Sequence, residues 1–452
     1  MHIHILGICG TFMGGIARIA HDLGHKVTGS DQNVYPPMSD QLQQLGINLQ
    51  QGYLAEHLQP APDLVIVGNT ISRGNPALEY VLNQKLSYCS GPEWLYSEVL
   101  RHKHVLAVAG THGKTTTTSM LAWLLEHAGL NPGFLIGGVA ENFGLSARVT
   151  SSDFFVIEAD EYDTAFSDKR SKFIHYRPNT LIINNIEFDH ADIFHDLAAI
   201  RREFHNMVRI LPETAEIIYP AGDAEVERVL DMGCWSQRVD FAGQDSRWQL
   251  GKASPDYRHF EVKLDRTVAA EVNWTLLGEH NAMNALAAII AARHIGIEPQ
   301  QSAQALAAFR SVKRRLECIL DNGNIRLFDD FAHHPTAIRV TLKALRAAAG
   351  ENRIIAIMEP RSNTMRMGVH KDTLADSLRE ADVVLIFQAD NVNWDISQHV
   401  AELGDKCRVF TDIDAIVGQV KSECRAGDYI VVMSNGGFGG IHKKLLQVLA
   451  DQ

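Results

Sequence analysis

Val105-Leu-Ala-Val-Ala-Gly-Thr-His-Gly-Lys-Thr-Thr-Thr-Thr-Ser-Met120 is the stretch that decides how this chain is read. An apolar, strand-like run at 105–109 ends in Gly110-Thr111-His112-Gly113-Lys114-Thr115-Thr116. An apolar helical pattern follows at Met120, Leu121, Trp123 and Leu124. Strand, glycine loop, lysine and helix start together make a phosphate cradle. Glycines let backbone N–H groups turn toward an anion, and a helix N-terminus adds partial positive charge. From this position Lys114 reaches outer phosphates, and the Thr115 hydroxyl can ligate Mg²⁺. The full G-x-x-x-x-G-K-[ST] pattern is not met, because Val108 stands at its first glycine. The plain alternative is an ordinary strand-to-helix turn with a surface lysine.

Working outward, the chain has 452 residues, which points to about three domains. Apolar content of 46% and charged content of 21% are those of a globular protein. A formal net charge of −12 argues against broad nucleic-acid binding. Cys9, Cys89, Cys234, Cys318, Cys407 and Cys424 form no C-x-x-C pair, which predicts reduced thiols and a cytoplasmic enzyme. The chain opens directly on the strand-like His2–Leu6, with no leader expected. The longest apolar run, near 285–292, is too short for a bilayer and ends at Arg293 and His294, so no membrane partner is expected.

Three blocks of alternating strands and helices predict an α/β protein with parallel sheets. Residues 1–103 carry Gly7-x-x-Gly10-x-x-x-Gly14-Gly15 after the first strand, Asp31 after the second, and Asn69-Thr-Ile-Ser72 after the run at 64–67. The glycine spacing is wrong for a nicotinamide dinucleotide but suits a phosphate-bearing ligand at a helix start. Residues 104–313 hold buried-strand candidates at 154–157 and 181–183, with a less regular stretch at 233–272 in which β excursions are expected around Phe260–Leu264. Residues 314–452 hold strand candidates at 326–328, 354–358, 383–387 and 429–433. In open α/β sheets, ligands gather beyond the carboxyl ends of strands.

Acidic and basic clusters sit at those ends. Glu158-Ala-Asp-Glu-Tyr-Asp163 places four carboxylates in six residues, a set suited to a hard divalent cation rather than merely to a solvated turn. Asn184-Asn-Ile-Glu-Phe-Asp-His190 repeats the arrangement, with His190 a candidate ligand. His280, Asn281 and Asn284 open an Ala-rich helical segment, where they can read a base or simply cap the helix. Arg314 and Arg315 are suited to a transferring phosphoryl group. Asp330 and His333 lie in Asp329-Asp-Phe-Ala-His-His-Pro335, and Arg361 and Arg366 offer cations to an anionic substrate.

Together these motifs resemble the Mur ligases, the ATP-dependent amide-forming enzymes of peptidoglycan metabolism. Gly110-Thr-His-Gly-Lys-Thr-Thr-Thr, Glu158-Ala-Asp-Glu, Asn185-Ile-Glu-Phe-Asp-His190, Gly278-Glu-His-Asn-Ala-Met-Asn284, Arg314-Arg-Leu-Glu and Asp329-Asp-Phe-Ala-His-His-Pro335 follow the family's order. The resemblance implies three domains: a Rossmann-like N-terminal domain for a UDP moiety, a central P-loop ATPase-like domain, and a Rossmann-like C-terminal domain closing over the nucleotide. It implies UDP-N-acetylmuramate as donor, with Gly10, Asp31, Asn69 and Ser72 on its UDP side. The expected acceptor is the recycled murein tripeptide L-alanyl-γ-D-glutamyl-meso-diaminopimelate, met by Arg361 and Arg366; free L-alanine is the alternative. It further implies ATP held by residues 110–116, His280, Asn281, Asn284, Arg315, Asp330 and His333. Mg²⁺ falls to Thr115, Glu158 and His190. Lys114, Glu158, His190 and Arg314 take the catalytic roles. Several Mur ligases carry a carbamylated lysine shortly after the Asp-His motif; the stretch Leu197–Arg209 contains none, so that role is absent.

Overall fold

The computed structural model describes residues 1–34 and 38–450. Three α/β sheets follow one another along the chain. The first has five parallel strands in the order 48–51, 26–31, 2–6, 64–67, 88–90. Strand order reverses at His2–Leu6, so the loops leaving it and Leu64–Val67 splay apart at a crevice. That crevice receives the glycine loop on one side and Asn69 to Ser72 on the other.

The second sheet has ten strands, and His104–Ala109 lies inside it between Phe154–Glu158 and Thr180–Ile183. The register pairs Val108 with Glu158 and Ala109 with Ile183. The phosphate loop, the acidic turn and the Asn184–His190 loop therefore leave the sheet at one level. Helix Lys114–His127 starts at Lys114, with no gap before the apolar positions. Four consecutive threonines are weak helix formers. Here Thr118 and Ser119 hydroxyls donate to the Lys114 and Thr115 carbonyls at 2.7 Å, and burial of the whole run compensates for propensity. Helix Glu279–His294 packs beside it and is apolar on nearly every side, as a helix enclosed by protein must be.

The less regular reading of 233–272 is corrected. Gln237–Phe241, Trp248–Ala253, His259–Leu264 and Thr267–Asn273 extend the ten-stranded sheet, the last pairs running antiparallel. His259–Leu264 and the second half of Thr267–Asn273 alternate buried and more exposed residues, the pattern of antiparallel strands with one face toward water. The third sheet orders its strands 317–321, 326–330, 429–433, 354–358, 383–387, 407–410, parallel except at the first. Among the described residues no helix is long and apolar enough to cross a membrane.

Candidate functional site

The central feature is the start of helix Lys114–His127. Gly113 is its N-cap at φ +80°, and no side chain caps it; no acidic residue occupies the first turn. A Cβ at Gly113 would lie 2.7 Å from Asn284 Oδ1 and 2.8 Å from Asn184 Nδ2. Both the backbone angle and the space therefore demand glycine. The first-turn N–H groups remain available to an anion.

Lys114 Nζ donates to the Gly110 carbonyl at 2.6 Å and lies 2.9 Å from Glu161 Oε2. Burial disfavours its charge, yet Glu161 and Asp160 outweigh burial and raise its pKa. Burial likewise works against the Glu161 carboxylate, and Lys114 and His190 outweigh it, holding the group down at about 2. His190 Nε2 stands 3.2 Å from Glu161, and Tyr162 Oη shares a 2.8 Å hydrogen bond with His190 Nδ1. His190 adopts φ +55°, which aims its ring back into this cluster. Both its ring nitrogens are thus engaged, and metal ligation by His190 requires release of Glu161 or Tyr162.

Thr115 Oγ1 donates to Glu158 Oε1 at 2.9 Å, and the Gly137 N–H donates to the other carboxylate oxygen at 2.7 Å. Burial pushes the Glu158 pKa up. A hydroxyl and a carboxylate side by side at a helix start are hard oxygen donors, and Glu158, Asp160 and Glu161 gather around the single ammonium of Lys114. The residues fit Mg²⁺ between Thr115, Glu158 and a phosphate.

The C-terminal block closes the site from above. Arg315 Nη2 donates to Thr115 Oγ1 at 3.2 Å. Thr336 Oγ1 donates to Glu187 at 2.7 Å, and Glu187 in turn meets His112 Nε2 at 3.2 Å. Thr364 Oγ1 donates to Asp189 Oδ1 at 2.9 Å, and Asn363 Nδ2 to Asp192 at 2.8 Å. Between these contacts lies a polar cavity of about 230 Å³, lined by Tyr162, Asp189, His190, Asp192, His333, Arg361 and Arg366 among others. A larger cavity of about 430 Å³, between strand Thr267–Asn273 and helix Pro299–Ala307, is far from all of this chemistry.

Residues 2–103 match the Mur ligase family catalytic domain, 108–292 the Mur ligase middle domain, and 314–436 the Mur ligase glutamate ligase domain. The chain belongs to the Mur ligase family. It is 54% identical to the UDP-N-acetylmuramate–L-alanyl-γ-D-glutamyl-meso-2,6-diaminoheptandioate ligase of Escherichia coli K12, covering 100% of this chain and 99% of that one. Identity is 52% to the enzyme of that name from Haemophilus influenzae, with 99% of each chain covered. The crystal structure of a murein peptide ligase from Psychrobacter arcticus overlays with a TM-score of 0.75 at 47% identity, covering 100% of this chain and 99% of that one. A UDP-N-acetylmuramate–alanine ligase from Thermotoga maritima shares the fold at 24% identity, with a TM-score of 0.83 over 100% of this chain and 99% of that one.

Within this Mur ligase the sequence-derived residues divide. Gly110, Thr111, His112, Gly113, Lys114, Thr115, Thr116, Glu158, His190, Asn284 and Arg315 share the central cleft or border it. Arg314 does not: it lies 3.3 Å from Asp329 and donates to the Ser434 and Gly436 carbonyls at 2.6 and 2.7 Å. The Asp329 carboxylate and the 434–436 loop draw Arg314 into its own domain, and Arg315 is the arginine that reaches Thr115. The Asn281 amide donates to the Leu277 carbonyl at 2.8 Å and braces the helix start. Asp330 is spent on the Leu316 and Ala332 N–H groups at 2.7 and 2.8 Å. These bonds hold the turn after Arg315 against the strand Arg326–Asp330. His333 lines the cavity with Arg361 and Arg366. Burial lowers the His280 pKa to about 4.

On the UDP side, Gly10 caps helix Thr11–Asp22 with its N-terminal donors uncapped by any side chain. Asp31 accepts from the Cys9 N–H at 2.9 Å and the Asn33 N–H at 3.0 Å and so braces the glycine loop. Asn69 and Ser72 lie across the crevice and reach solvent. Glu161, Tyr162, Glu187, Asp189 and Thr364 carry much of the geometry without having been singled out. The first four stand in the acidic motifs, where charge alone does not tell a ligand from an organiser. Thr364 has no local signal at all.

Proposed function

We propose that this Mur ligase joins UDP-N-acetylmuramate to L-alanyl-γ-D-glutamyl-meso-diaminopimelate at the expense of ATP, in peptidoglycan recycling in the cytoplasm. The observation that carries the acceptor is the full-length identity of 54% and 52% to two ligases named for this tripeptide, against 30–32% for relatives named for L-alanine. The cavity supports it: Arg361 and Arg366 face Asp189 and Asp192 across one space, a two-signed lining suited to a zwitterionic peptide. The three working units are read as 1–103, 104–313 and 314–452.

A carboxylate is a poor electrophile toward an amine at neutral pH, so the acid must be activated. In the proposed route a lactyl carboxylate oxygen attacks the γ-phosphorus of ATP, the bond to the β,γ-bridging oxygen breaks, and ADP leaves. The peptide α-amine then attacks the acyl phosphate, loses a proton, and phosphate departs with its electron pair. Mg²⁺ on Thr115 and Glu158 would supply positive charge to the phosphate oxygens. Lys114 exchanges Glu161 for the terminal phosphate, and Arg315 reaches the same group from the C-terminal block. Their positions precede the reaction, which is how preorganised charge lowers such a barrier.

The test is phosphate release by purified protein with Mg-ATP and UDP-N-acetylmuramate, comparing tripeptide with free L-alanine. The tripeptide should win by more than about 100-fold in kcat/KM, as expected of a site whose buried charges need partners. Preference for alanine would reassign the enzyme to the L-alanine-adding reaction.

A further inference from the structure

Lys172 is more deeply buried than Lys114 and has no part in the reaction described so far: its residue is 6% exposed. It leaves the hairpin formed by Asp163–Ala165 and Asp168–Ser171, whose Phe166 packs on Tyr88 of the first sheet with ring centroids 5.9 Å apart. The hairpin thus ties the UDP side to the central sheet, and Lys172 sits where the two meet. Its ammonium lies 3.3 Å from Asp160 Oδ2, 5.2 Å from the Phe12 ring centroid and 5.5 Å from that of Tyr162. Phe12 comes from the helix start after the glycine loop. Asp160 and Tyr162 come from the acidic turn beside Lys114.

An ammonium carries three N–H donors. Among the described residues, Asp160 is the one hydrogen-bond acceptor given to Lys172, and two aromatic faces border the ammonium. Ring faces attract a cation but do not replace hydrogen-bond acceptors. A buried cation with unfilled donors, placed between an anion-binding helix start and a phosphoryl-transfer site, is suited to an anion that spans both. Resting on the function proposed above, we propose that Lys172 is a donor-binding residue, whose ammonium grips an anionic group of the muramyl nucleotide between its UDP end and its reacting acid. Two groups of that molecule have the required chemistry, the diphosphate and the lactyl carboxylate. Phe12 and Tyr162 flank the ammonium and keep water from competing for it.

The experiment is calorimetric titration of UDP-N-acetylmuramate, UDP-N-acetylglucosamine and UDP into the full-length protein holding a Mg-bound nonhydrolysable ATP analogue. Wild type, Lys172→Met and Lys172→Arg are compared. Methionine keeps the apolar stem between the two rings, and arginine restores the charge. Lys172→Met should weaken UDP-N-acetylmuramate binding roughly 10- to 100-fold, the usual loss for a charge-assisted hydrogen bond. Lys172→Arg should recover much of it, and affinity for the ATP analogue should not change. Equal losses for all three nucleotides assign the ammonium to the diphosphate; a loss confined to UDP-N-acetylmuramate assigns it to the carboxylate. Wild-type binding with Lys172→Met within about twofold of it overturns the assignment of Lys172 alone. Failure of the wild-type protein to bind UDP-N-acetylmuramate overturns the proposed function and this inference together.

Discussion

Lys114 and Glu161 form a buried pair that must separate for catalysis. Lys114→Ala should lower turnover by at least about 1000-fold, since it removes charge aimed at the transferring group. It also strands Glu161 in the interior, at a cost of about 3 kcal/mol. Lys114→Ala combined with Glu161→Gln should regain thermal stability without regaining phosphate release, which melting and activity measurements distinguish. Full activity in Lys114→Ala would remove the lysine from the chemistry. The two adjacent arginines separate in the same way. Arg315→Ala should reduce turnover strongly with little change in melting temperature. Arg314→Ala should lower the melting temperature, because it frees the Asp329 carboxylate and two loop carbonyls. Equal kinetic losses in both would erase the distinction between them.

Among elements, the loops at the carboxyl ends of the third sheet decide how the acceptor side is built. A Cβ at Gly436 would overlap the Arg361 guanidinium, so the loop Ser434–Gly440 acts as the wall against which Arg361 lies. Gly436→Ala should raise KM for the peptide about tenfold and leave KM for ATP unchanged, measured by initial rates. A shift in ATP KM alone would place Arg361 on the nucleotide instead. The helix start at Lys114 is a different kind of element, specified locally: glycine at φ +80°, an uncapped first turn and four buried threonines follow from consecutive residues. The loop wall of Arg361 joins residues 75 positions apart, and nothing near either one announces the contact.

At the scale of the whole molecule, the site is complete only when the second and third sheets meet. Arg315–Thr115, Thr336–Glu187 and Thr364–Asp189 are all contacts between them. The more divergent Thermotoga maritima enzyme overlays better along the full chain than the Psychrobacter arcticus one, 0.83 against 0.75. X-ray scattering should show a smaller radius of gyration on adding Mg and a nonhydrolysable ATP analogue; an unchanged profile would argue against closure. Acid should loosen the same junction. Burial lowers His280 and His333 to about 4 from 6.5, so each contributes stability that is complete above pH 6.5 and lost as pH falls toward 4. Glu161, depressed to about 2 from 4.5, adds a loss that begins below pH 4.5 and runs down through about 2. His190 has the opposite sign: its raised pKa gives stability that fades as pH rises above its ordinary 6.5. Melting temperature should therefore fall on acidification from pH 6.5, and more steeply below 4.5. A flat profile from pH 7 to 4 would contradict the burial of these histidines.

The sequence by itself determined the family, the α/β class, the phosphate cradle and the acidic turns, because each is written in consecutive residues whose spacing sets backbone geometry. The tertiary structure turned Arg314 toward Asp329 and Arg315 toward Thr115, gave Asn281 and Asp330 backbone partners, and brought Glu187, Asp189 and Thr364 into the cleft. Those outcomes depend on which partner reaches a side chain first, and the partners lie on strands and loops that only packing brings together. Lys172 belongs to the second group: in the chain it is one cation among many, and its isolation between two rings and one carboxylate exists only in three dimensions.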